Sequence, residues 1–168
     1  LNPNNIQRTK IPVKLAVPLY EQLELLKKNK AAVVCGILSG TLASLTGIFV
    51  LCMLFGFNHQ QYVTMLPKSI TTAIGIGISE ELGGIVTITV AVIIITGILG
   101  NVIADTVFHI FKIKNPLAKG LALGTASHAI GTARAIEMGP VEGAMSSLAV
   151  AVAGLLTVVF VSGFAQLI

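Results

Sequence analysis

Two stretches of the chain concentrate side chains able to bind an anion or move a proton. The first, LPKSITTAIGIGISEELGG over 66–84, carries Lys68, Ser69, Thr71 and Thr72 behind Pro67 and closes on Glu80 and Glu81. The second, GLALGTASHAIGTARAIEMG over 120–139, holds Thr125, Ser127, His128, Gly131, Thr132, Arg134 and Glu137. A lysine or guanidinium pairs with a carboxylate, hydroxyls complete its hydrogen bonds, and imidazole titrates near neutral pH. Each residue also has a structural alternative. Lys68 is either a snorkelling anchor or part of an anion funnel. His128 either contacts an anion or relays a proton, or makes a hydrogen bond inside a bundle. Arg134 stands three residues before Glu137, so an ion pair along one helical face is preferred over a bidentate grip on a ligand. Glu142 follows Pro140 at a helix start, where capping is preferred. Glu80 and Glu81 read as a segment end at the water interface, and Asn101 and Asp105 as facing a polar cavity or each other.

Catalysis has little to build on. Ser127 and His128 are neighbours in sequence, which does not set a base against a nucleophile. A metal site needs more His, Cys or carboxylate ligands than cluster here. We therefore expect a protein that is not an enzyme and holds no resident cofactor. Cys35 and Cys52 share one apolar segment and read as small buried hydrophobes.

The elements that position these residues belong to a membrane protein. The 168 residues are 54% hydrophobic and only 11% charged, against about 25% charged in soluble domains. No Asp, Glu, Lys or Arg occurs between Lys30 and Lys68, from Leu82 to Ala104, or from Gly143 to Ile168. Each run reaches the roughly 20 residues needed to cross a hydrocarbon core. Spans are expected at about 31–57, 85–111 and 140–168, after a polar segment over 1–14 and a charged linker over 21–30. Asn58–Tyr62 reads as a short polar loop. Gly36, Gly40, Ala43 and Gly47 form a ladder suited to close helix packing. The net charge of +4 comes from lysines at the ends of apolar runs, a cytoplasmic-loop pattern with no basic-aromatic stripe for nucleic acid. No cleavable signal peptide is recognised.

The segments over 66–84 and 120–139 interrupt this pattern. Ser69–Ser79 is too short and too rich in Gly, Ser and Thr for a plain span. The two segments align with each other: Ala73-Ile74-Gly75 on Ala129-Ile130-Gly131, Glu81 on Glu137, Gly83 on Gly139. If the lysine clusters at Lys27–Lys30 and Lys112–Lys119 share the cytoplasm, an even number of crossings separates them. The two copies then enter the membrane from opposite faces. An inverted repeat with discontinuous helices is the signature of secondary transporters, in which broken-helix ends receive the substrate. The expected fold is an all-α polytopic transmembrane bundle with inverted repeats and two discontinuous or re-entrant segments, in the cell membrane.

LAVPLYEQLELLKKN (15–29), LPKSITTAIGIGISEELGG (66–84) and NPLAKGLALGTASHAIGTARAIEMGPVEGAMSSLA (115–149) together resemble the LrgB/CidB family, and the likeness extends over 15–168. Bacterial members are holin/antiholin-like modulators of murein hydrolase activity and cell lysis, working with a small LrgA/CidA-type membrane partner. A plastid relative carries glycolate and glycerate, and some bacterial members are linked to pyruvate uptake. The resemblance implies a secondary transporter of small monocarboxylates driven by H⁺ or Na⁺, or a lysis regulator acting through oligomers, with a homodimer expected. Carried onto this chain, its site residues are Lys68, Ser69, Thr71, Thr72, Thr125, Ser127, His128, Gly131, Thr132 and Arg134. Family members have further membrane segments before the LAVPLY stretch, where residues 1–14 do not match, so more spans are expected in the intact protein.

Overall fold

A computed structural model describes residues 24–168, and the readings of 1–14 and of Leu15–Tyr20 lie outside the described residues. A helical stretch over 24–28 precedes α1 (Lys30–Leu54), α2 (His59–Met65), α3 (Thr72–Glu81), α4 (Val86–Ile110), α5 (Pro116–Met138) and α6 (Pro140–Ala165). No strand occurs among the described residues. Helices α1, α4 and α6, of 25, 25 and 26 residues, are long and apolar enough to cross a membrane. At 1.5 Å per residue each extends nearly 40 Å, beyond the ~30 Å hydrocarbon core. Their outward faces stay apolar: on α4, Ile94, Ile95, Ile98, Leu99, Val102 and Ile103 are all exposed. Water would penalise a continuous patch of that kind, whereas lipid does not.

Between α1 and α3 the structure corrects the expectation of a loop at Asn58–Tyr62. Asn58 accepts a hydrogen bond from the Gln61 amide at 2.9 Å, and Gln61 Oε1 accepts one from the Asn58 amide at 3.0 Å. This reciprocal capping box starts α2. Tyr62 from that helix is fully buried and donates its hydroxyl to Phe164 O at 2.8 Å, tying α2 to the end of α6.

Glycines set the helix spacing. A Cβ at Gly120 or Gly124 would strike the carbonyl oxygen of Glu142 or Ser146, so α5 and α6 lie backbone to backbone around the Gly139–Pro140 corner. Gly97 and Gly100 do the same for α4 on α5, where added methyls would collide with His128 and Ser127. On the α1 ladder, a Cβ at Gly36 would lie 3.3 Å from Leu121 and one at Gly40 2.9 Å from the Thr125 hydroxyl, whereas Gly47 meets nothing within 4 Å. Only part of that ladder is a helix contact. Cys52 is buried as expected, but Cys35 is exposed, because it faces away from the α5–α6 side of α1 that the Val33 and Ile37 side chains pack against.

Candidate functional site

Both unusual segments contain a break, and the two breaks are built differently. After α2 the chain turns over residues 66–70, where Pro67 supplies no amide and the remaining bonds are long (Lys68 N to Met65 O 3.2 Å, Ile70 N to Pro67 O 3.4 Å). Thr71 is extended, with φ −65° and ψ 143°, and is the N-cap of α3 without making a side-chain cap bond. The turn brings Lys68 and Ser69 to α1. Lys68 Nζ donates to Ser69 Oγ at 2.6 Å and to Ser44 Oγ at 3.2 Å, and Ser44 Oγ donates to Ser69 Oγ at 3.0 Å. Among the described residues every ion pair belongs to Arg134. The half-buried Lys68 ammonium thus has neutral hydroxyls as its partners and one of its three donors unassigned.

Beside this ammonium opens a cavity of about 810 Å³ between α1 and the first half of α5. Gly36, Gly40 and Ala43 line it on one side, Leu121 and Thr125 on the other, and Lys68 and Ser69 lie at the break. Small residues on α1 keep that side low. Thr125 donates its hydroxyl to Leu121 O at 2.8 Å, which leaves its lone pairs free to accept.

The second break lies inside α5. His128 has φ 43° and ψ −138°, a conformation that costs a non-glycine residue about 1–3 kcal/mol. Its surroundings take up the polar groups released there. His128 Nε2 meets Ile93 O at 2.9 Å, which requires the proton on Nε2. Thr132 donates to His128 O at 2.9 Å, and its hydroxyl lies 2.8 Å from Ser146 Oγ on α6. Asn101 Nδ2 donates to Ile130 O at 3.0 Å. One α4 residue serves both breaks, because a Cβ on Gly75 of α3 would collide with the side chain of the same Ile93.

The residues singled out by sequence therefore separate. Lys68, Ser69 and Thr125 line one cavity. Thr71 and Thr72 start α3 and are absent from that lining. Ser127, His128 and Thr132 are buried on the sides of α5 that meet α4 and α6, and Gly131 is buried at the kink against Leu123 and Ser127 of α5 itself. Arg134 binds Glu137 at 2.6 Å, the ion pair its spacing favours, and also Asp105 on α4. Asp105 and Asn101 thus face neither a cavity nor each other; both tie α4 to α5. Glu80 and Glu81 are exposed at the end of α3. Glu142 is buried in the first turn of α6, where an acid suits the helix N-terminus, and its carboxylate folds back toward Gly139. Sequence reasoning missed Thr41 and Ser44. Their spacing of three residues, next to Gly40 and inside an otherwise apolar run, was the available signal.

Comparison with known proteins gives the family. The LrgB-like family matches residues 10–167. The chain belongs to the LrgB-like family. It is 40% identical over 156 residues to the antiholin-like protein LrgB of Bacillus subtilis (strain 168), covering 93% of this chain and 68% of that one. Against the antiholin-like protein LrgB of Bacillus cereus (strain B4264) it is 41% identical over 152 residues, covering 90% and 66%. The chain thus spans about two thirds of the length of these LrgB relatives. No solved structure matches it.

Proposed function

We propose that this LrgB-family chain belongs to a multi-pass secondary transporter for small monocarboxylates of the pyruvate, glycolate or glycerate class. The carrying observation is Lys68: an ammonium at a chain break inside an apolar bundle, beside a cavity, with two serine hydroxyls and, among the described residues, no carboxylate as partners. A charge at such depth is costly unless compensated, and a substrate carboxylate supplies the missing opposite charge. Ser69 and Ser44 orient the ammonium, and Thr125 closes the opposite wall. In this reading the breaks at 66–71 and at His128 are the paired discontinuities of an inverted repeat, with the shared Ala-Ile-Gly following His128 directly and the 66–71 turn after Thr72. Alternating access proceeds as α1 and α5 part and close across the cavity, driven by H⁺ or Na⁺ in the plasma membrane. The protein works without a resident cofactor and without covalent chemistry on its cargo.

The test is uptake of labelled pyruvate and glycolate into proteoliposomes carrying the intact protein. Saturable uptake lost in Lys68→Met supports the reading; uptake undiminished in that variant overturns it. A second reading is favoured by the names of the relatives, which are antiholin-like proteins: a regulator of lysis, for which the family resemblance implies homo-oligomers and an LrgA-type partner. In that case Lys68→Met retains lysis control, and the exposed apolar face of α4 is the sensitive surface.

A further inference from the structure

Behind the Lys68 cavity lies a second, smaller chamber of about 10 Å³, the space of a single water molecule. It sits where α1, the 66–70 turn, α5 and α6 meet, and its polar lining is Thr41, Ser44, Ser69, Thr125 and Thr157. Ser44, Ser69 and Thr125 also line the large cavity, so three hydroxyl residues form the partition between the two spaces.

The hydroxyl protons are largely committed. Thr125 donates to Leu121 O and Thr157 to Ala153 O, each at 2.8 Å, and Ser44 donates to Ser69 at 3.0 Å. Those threonines offer the chamber lone pairs only. Thr41 differs. It is 3% exposed, and among the described residues its Oγ1 is the buried side-chain polar atom without a hydrogen-bond partner. Buried hydroxyls are nearly always paired, and an unpaired one beside a water-sized polar space marks a place for an oxygen. Its occupant accepts from Thr41, and a hydroxyl or water, which can also donate to the lone pairs of Thr125 or Thr157, satisfies more of this lining than a bare carbonyl oxygen.

We infer that this chamber is a subsite for one hydroxyl-class oxygen, with Thr41 as its specificity-determining residue. The oxygen comes either from a fixed water or from a hydroxyl next to the carboxylate of a ligand held by Lys68. The second source rests on the transport reading above; the first does not.

Thr41→Val removes the hydroxyl at constant shape, and Thr41→Ser keeps it; if the valine variant is not recovered, Thr41→Ala against Thr41→Ser reads the same group. Two quantities are measured on the intact protein: Tm in detergent without ligand, and competition by glycolate against acetate for labelled uptake. A loss of about tenfold in the glycolate preference, restored by serine, identifies the ligand hydroxyl. A lower Tm in Thr41→Val with the preference unchanged identifies the water. A Tm unchanged or raised, with the preference unchanged, overturns the inference, because an isosteric methyl is tolerated where the hydroxyl bonds nothing. Should Lys68→Met transport normally, the carboxylate reading fails while the Tm comparison at Thr41 still decides the water.

Discussion

The two chain breaks present the same problem and answer it in opposite ways. At His128 the residue with the improbable backbone is surrounded: its ring reaches Ile93 O, its carbonyl accepts from Thr132, and the next turn is held by Asn101. At 66–71 the backbone is ordinary, but the charged side chain it delivers is left with hydroxyls and an open cavity. Completed hydrogen bonds make a rigid joint. Incomplete ones make a place where something else must bind.

The comparison can be broken most directly at Lys68. Replacing it by Met is expected to lower initial uptake at least tenfold while Tm holds or rises, since a half-buried cation whose partners among the described residues are neutral hydroxyls is removed; uptake and thermal melting on one preparation check both halves. His128→Ala should do the reverse, lowering stability by about 2 kcal/mol through loss of the buried bond to Ile93, with apparent affinity unchanged in the folded fraction. A large change in KM without a change in Tm would place His128 on the ligand side. Thr132→Val should cost about 1 kcal/mol, measured by denaturant unfolding, because it leaves His128 O and Ser146 without their partner. Arg134→Ala should have the smallest effect, declining further at high salt, since its pairs with Asp105 and Glu137 lie among exposed carboxylates.

What the sequence made legible follows from physics that acts locally. Charge-free runs of span length gave α1, α4 and α6; Pro67 with clustered Gly, Ser and Thr marked the first interruption, and clustered Gly, Ser and Thr without a proline the second. The Arg134–Glu137 pair follows from spacing alone. The α2 capping box also has a local signature, Asn58 followed three residues on by Gln61, but its polar residues resemble a loop. The partners of Lys68 and His128 could not be read this way. Both side chains sit at breaks rich in small polar residues, and which one finds a carbonyl depends on where α4 falls. Thr41 was hidden for a related reason: threonine in an apolar helix normally bonds its own backbone, as Thr125 and Thr157 do. Only the packed structure shows that this one does not.

Ile93 links the joints. Its side chain occupies the hollow at Gly75 while its carbonyl holds the ring of His128. Sliding α4 along its axis would therefore unseat both at once, since neither contact can follow without the other. The helix with most of its surface turned outward acts as a common latch for two distant interruptions, and any motion that frees one must be paid at the other.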